Sequence, residues 1–278
     1  MKVAVCMSGH MRTYKSIAEN HMRFLIKPSN ADVFIYTSDM VTLRSADRWK
    51  KSKQRITEGE WDKDGLYKIV KTLEETPRYP HKPRHPHHRA SATFKVDKNK
   101  LEKDIRETYG DYLKGLVIED ESLDKLDFEG KHGQSWEWFK NKTWRKVYLC
   151  NKMTKKENVE YDLVIRTRPD IFVSRGMHVK RFDPHKLKSQ IYMPGIFCDF
   201  IVGSSKGMDC LSEIFKDTNG VRDRADWTKT MNMETRKFVN LFTGNDYPEV
   251  QVALYMHEKG YQINHMERDL VKVKRPKK

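Results

Sequence analysis

Residues 161–172, YDLVIRTRPDIF, constrain the fold more than any other stretch of this chain. Apolar and aromatic side chains run without helical period straight into Arg166, Arg168 and Asp170. A short apolar run of this kind reads as a strand buried on both faces, as in a parallel sheet. Ligands of open α/β sheets lie outside the carboxyl ends of such strands. Two guanidinium groups and a carboxylate at that edge suit an anionic ligand, with or without a divalent cation. The competing reading is that the arginines pair with surface carboxylates and do no chemistry.

The same theme recurs along the chain. Residues 3–7 form an opening strand that breaks at Ser8, Gly9 and His10. Residues 13–26 then carry Tyr14, Ile17, Met22 and Leu25 at helical spacing. Further strands are predicted at 32–36, 116–118, 163–165, 191–193, 200–202 and 261–266, and helices at 136–153, 208–215 and 250–257. Strands alternating with helices give an α/β fold with a central, mostly parallel sheet flanked by helices. No internal repeat is evident, and residues 1–278 are read as one domain.

Residues 77–98 interrupt the alternation with four prolines at 77, 80, 83 and 86, which exclude a helix or central strand. The region near 75–100 is therefore read as a basic Pro/His-rich loop insertion. His81, His85, His87 and His88 could ligate a metal, but their spacing matches no structural zinc pattern. A solvated loop that meets an anionic acceptor is the alternative.

Charge and composition narrow the partners. A formal charge of +15 favours anionic ones: nucleotides, phosphorylated molecules, nucleic acid or an acidic surface. Aromatic content of 11% argues against wholesale disorder despite 33% charged residues. Cys6, Cys150, Cys198 and Cys210 have no CxxC spacing and read as small buried hydrophobes in a reducing compartment. No apolar stretch reaches the roughly 20 residues of a membrane span, and the N-terminus reads as a core strand, not a signal peptide. A soluble, cytoplasmic protein is expected, so Asn141 in its Asn-Lys-Thr acceptor pattern is expected to stay unglycosylated.

Several phosphate chemistries are excluded. After the first strand the chain reads SGHMR instead of GxGxxG, and GxxxxGK[ST] does not occur. GxSxG and HExxH are absent too. What remains is a turn at Ser8 and Gly9, a helix N-terminus whose amides can hold an anion, and Arg12 beside it. Gly9 is equally well an ordinary tight turn.

Three segments, VAVCMSGHMRTY, ADVFIYTSD and RTRPDIF, occur here in the order seen in GT-A-type glycosyltransferases of large algal DNA viruses, which this chain resembles. The resemblance follows the order of elements over most of the chain, through short motifs. It implies a GT-A-like nucleotide-sugar-binding fold and transfer of a sugar, with xylosyl transfer from UDP-xylose favoured, to an oligosaccharide or glycoprotein acceptor. The expected setting is N-glycan synthesis on a viral capsid protein in the host-cell cytoplasm. In most such enzymes an Asp-x-Asp after the middle strand holds a divalent cation, Mn²⁺ or Mg²⁺, against the diphosphate. Here Arg168-Pro169-Asp170 stands in that place, so either Asp170 alone carries the metal or arginine supplies part of the positive charge.

Transfer requires that the leaving diphosphate be neutralised, by a cation on Asp170 or by Arg166 and Arg168 directly. An inverting transfer also needs a carboxylate base near the acceptor hydroxyl. Asp199, acidic in an apolar context, and Glu249, after Pro248 at a helix start, are the two candidates. Each has a structural alternative: a turn or strand-end cap for Asp199, and a helix-dipole partner for Glu249. Tyr36, Thr37 and Asp39 end the second strand, where a nucleoside would lie. Trp136, Trp138, Trp144 and Trp227 could stack a sugar or base, with core packing preferred for Trp144. His132 and Gln134 could reach the pocket. A basic nucleic-acid-binding protein is the rival class, but it lacks any recognised nucleic-acid motif, and its basic residues are interspersed with acids, 54 against 39.

Overall fold

The apolar run that ends in Arg166 lies at the centre of the sheet. A computed structural model of the chain describes residues 1–11, 14–44, 54–61, 67–74, 91–120, 135–194, 199–216, 248–266 and 270–273. The opening strand β1 (Val3–Ser8) is flanked by β2 (Asp32–Ser38) and β8 (Leu163–Thr167), both parallel to it. Beyond β2 lies β7 (Leu113–Glu119), again parallel. On the other side β11 (Ile201–Gly203) runs antiparallel to β8. It is followed by β10 (Gln190–Pro194) and β12 (Gln262–Met266), which are parallel to each other. The order β12-β10-β11-β8-β1-β2-β7 makes a mixed, mostly parallel sheet of seven strands among the described residues, as the GT-A-like reading anticipates.

Both faces of this sheet are buried, which explains why its strands read as continuous apolar runs. Val3, Val5, Met7, Val33, Ile35, Leu163 and Ile165 belong to one core cluster. Ala4, Cys6, Phe34, Tyr36 and Val164 belong to the other. The first face is covered by α1 (Tyr14–His21) and α2 (Lys98–Tyr109), whose Tyr14, Ala18, Leu101, Ile105 and Tyr109 are buried there. The second is covered by α3 (Ser135–Thr154), α5 (Ser205–Ser212) and α6 (Pro248–Glu258). A short helix α4 (Pro184–Leu187) leads into β10.

Three features add to the sequence reading. Helix α2 starts at Asp97, whose Oδ1 accepts from the backbone N–H of Asn99 and Lys100, a standard N-cap. Between β2 and α2 the chain forms β3 (Met40–Arg44) paired with β6 (Ser91–Lys95), and β4 (Gln54–Trp61) paired with β5 (Tyr67–Glu74). The expected basic loop therefore ends in a strand at 91–95, past its prolines, while residues 75–90 and their histidines lie outside the described residues. Finally β9 (Ile171–Val173) pairs antiparallel with β13 (Val271–Val273).

The cysteines behave as small apolar residues. Cys6 and Cys150 are buried free thiols, and Cys210 is half-buried; Cys198 lies outside the described residues. The Cys150 thiol contacts the carbonyls of Met7 and Phe34 at 3.5 Å. Its hydrogen bond with Cys6, together with burial, pushes the Cys6 thiol well above its ordinary value, away from thiolate reactivity.

Candidate functional site

Four parallel strands end on one edge of the sheet in polar residues. These are Ser8 of β1, Ser38 of β2 followed by Asp39, Glu119 of β7 followed by Asp120, and Thr167 of β8 followed by Arg168-Pro169-Asp170. Because β11 is antiparallel and pairs Ile201 with Arg166, the residues just before it reach the same edge, Asp199 among them. Gly9 turns the chain there at φ +127°, a conformation that favours glycine, and its N–H donates to the Tyr36 carbonyl at 3.2 Å. A Cβ on Gly9 would lie 3.9 Å from both Arg168 Cγ and Pro169 Cδ, so the β1 turn packs against the segment leaving β8.

Arg168 links two carboxylates from different segments, one in the turn after β8 and one in the turn before β11. Its Nε donates to Asp170 Oδ1 at 2.9 Å and its Nη2 to Asp170 Oδ2 at 2.6 Å, a bidentate fork. Its Nη1 donates to Asp199 Oδ2 at 2.9 Å. The burial is uneven: the Asp170 side chain is 3% exposed, whereas Arg168 and Asp199 are 24% and 23% exposed. Asp170 is thus a sequestered anchor, and the Arg168–Asp199 contact faces the edge.

Helix α1 holds the anchor in place. Asn20 Nδ2 donates to the Val173 carbonyl at 2.8 Å, and its Oδ1 accepts from the Val173 N–H at 2.8 Å. The next residue, His21, is fully buried and bonds the Ile171 carbonyl through Nε2. A carbonyl only accepts, so Nε2 carries the proton. Burial pushes the His21 imidazole down to about 4, against smaller upward pulls from the Ile171 carbonyl and the nearby Asp170 charge.

That shift has a definite consequence for stability. An unfolded histidine takes up its proton near pH 6.5, whereas folded His21 refuses it until about pH 4. The stability it supports is present above about pH 6.5 and lost as pH falls toward 4, by roughly 3 kcal/mol. Melting temperatures of the native chain and His21→Gln, measured from pH 7 to 4.5, should therefore differ by an amount that changes with pH. A pH-independent difference would assign the acid sensitivity to other groups.

A second cluster lies along the same edge. Glu119 Oε2 accepts from the Tyr36 hydroxyl at 3.1 Å and from Arg145 Nη1 at 2.9 Å, while Lys146 Nζ sits 3.0 Å from Oε1. Lys95 Nζ spans Asp39 at 3.1 Å and Asp120 at 3.0 Å. Hydrogen bonds to Asp120 and then Asp39 raise the Lys95 pKa. Sequence reading did not single out Glu119, Asp120, Arg145, Lys146 or Lys95. The signal for the first two was present, because the apolar run 116–118 ends in acids just as 163–165 ends in Arg166.

The expected residues divide as follows. Ser8, Gly9, Tyr36, Arg168, Asp170 and Asp199 gather at the edge, and Asp39 is buried there against Lys95. Thr37 is fully buried. Arg166 is 2% exposed, with its guanidinium carbon 4.8 Å from the Trp144 ring centroid, so both pack beneath the edge. Glu249 occupies the first turn of α6, but its side chain lies outside the described residues. So do Arg12, His132, Gln134, Trp227, and the side chains of Trp136 and Trp138.

A cation on Asp170 does not fit this arrangement. Both carboxylate oxygens are engaged by one guanidinium, which also fills the space between Asp170 and Asp199. A metal bound to either acid would share it with a like charge. Compared with protein-family models and with curated proteins, the sequence matches none.

Proposed function

We propose that this chain is a glycosyltransferase that moves a sugar from a nucleotide-sugar donor to a hydroxyl of a glycan acceptor. The observation that carries the reading is the convergence of Arg168, Asp170 and Asp199 at the carboxyl edge of a mostly parallel sheet. That edge offers what the reaction needs: a guanidinium donor for a leaving diphosphate and a partly exposed carboxylate for an acceptor proton. The sequence resemblance favours a UDP-sugar, UDP-xylose first, and an N-glycan on a viral capsid protein as acceptor.

In the inverting form of the reaction, the acceptor oxygen forms a bond to the anomeric carbon. The bond from that carbon to the diphosphate breaks, and its electron pair leaves with the diphosphate. The hydroxyl proton passes to a carboxylate. Asp199 is the favoured base because its carboxylate is partly exposed at the site edge.

A thermal-shift screen against UDP- and GDP-sugars tests the donor class. A donor at a hundred times its Kd should stabilise the fold by about 2.7 kcal/mol. Loss of turnover by roughly 10²–10⁴-fold in Asp199→Asn, without weakened donor binding, would assign it as base. The same pattern in Glu249→Gln would move the role there. No response to any nucleotide, with tight binding to long polyanions, would replace the reading by nucleic-acid binding.

A further inference from the structure

The unequal burial of the two acids on Arg168 has a mechanistic use. We infer that the donor diphosphate is recognised without a divalent cation, by an Arg168 that exchanges Asp199 for a diphosphate oxygen. This rests on the transferase reading above and specifies its leaving-group chemistry.

Three observations support it. The guanidinium already occupies the place between the two acids, and its fork uses two parallel hydrogen bonds onto an Asp170 side chain that is buried. That half of the contact is permanent, because breaking it strands a buried carboxylate. The other half is a single bond, Nη1 to Asp199 Oδ2, and both side chains are about a quarter exposed. A single, partly exposed ion pair is worth on the order of 1 kcal/mol, so an incoming diphosphate can displace this one. Asp170 fixes the guanidinium plane, and a planar fork suits phosphate oxygens as well as carboxylates.

The exchange couples donor binding to catalysis. While Arg168 holds Asp199, that carboxylate is engaged. Once a diphosphate oxygen takes Nη1, Asp199 is released from the guanidinium and can turn toward the acceptor, on the face of the sugar opposite the departing group. It can then take the acceptor hydroxyl's proton as the new bond to the anomeric carbon forms. The diphosphate departs with the electron pair of the broken bond, facing the guanidinium. The base is thus armed by the donor, which disfavours proton transfer in its absence.

The test is UDP binding by titration calorimetry, in EDTA and in excess Mn²⁺, to the native chain and to Asp199→Ala. Kd values for the native chain should agree within about twofold between the two buffers. Asp199→Ala should bind UDP up to about fivefold more tightly, since the competitor for Nη1 is gone, while losing transfer. A requirement for Mn²⁺ overturns the inference and leaves the transferase reading standing. Equal or weaker UDP binding in Asp199→Ala overturns the exchange. Absence of binding to UDP or GDP in either buffer overturns both readings together.

Discussion

Replacing Asp170 by asparagine should reduce the proposed sugar transfer by about a hundredfold or more, the scale set by losing a preorganised charge contact. The amide can accept from one arm of Arg168, but its own N–H₂ then opposes the other arm. The guanidinium loses its fixed plane, and with it the alignment of Nη1 toward Asp199 or a diphosphate oxygen. Because the Asp170 side chain is 3% exposed, the change should also cost about 2–4 kcal/mol of stability. The measurement is kcat with saturating donor, alongside a urea midpoint showing that the variant is folded. A folded variant with undiminished turnover would remove Asp170 from the site.

Asn20→Ala should be among the most destabilising single changes in this chain. Asn20 satisfies both the N–H and the C=O of Val173, in a β9 that is buried at Ile171 and Val173. Alanine leaves both groups without that partner in a place water does not reach, at about 1–3 kcal/mol each. The expected loss is therefore about 2–6 kcal/mol, read from the urea midpoint at constant m-value. A loss under about 1 kcal/mol would show that water or a shifted β9 replaces the side chain. The site should feel the change as well, since Asp170 is next in sequence to β9.

Strands β1, β2, β7, β8, β10, β11 and β12 were legible because each is a short apolar run between polar punctuation, and a sheet buried on both faces demands that pattern. Helices α1, α3, α5 and α6 were legible from their spacing. Helix α2 carries its own stripe, Leu101, Ile105 and Tyr109, but the charged residues between them mask its period. Strands β4 and β5 were missed although Tyr67, Ile69 and Leu73 recur at alternate positions, because Val70 among them blurs the period of two.

The candidate site divides in the same way. Arg168 and Asp170 could be picked out because charge at the end of a buried strand is conspicuous in one dimension. Asp199 stood out as an acid among apolar residues, yet nothing in the chain paired it with Arg168, 31 residues earlier. Glu119, with partners on β2 and α3, carried no comparable mark.

Local order alone thus determined that this is an α/β protein with a charged edge after its central strand, since burial on two faces and punctuation by polar residues are written residue by residue. Which charges meet was decided only by the tertiary structure. The antiparallel course of β11 brings Asp199 to Arg168, and the packing of α1 on β9 holds Asp170 in place. Side-chain contacts between distant segments depend on strand direction and register, and hydrophobic patterning leaves both open.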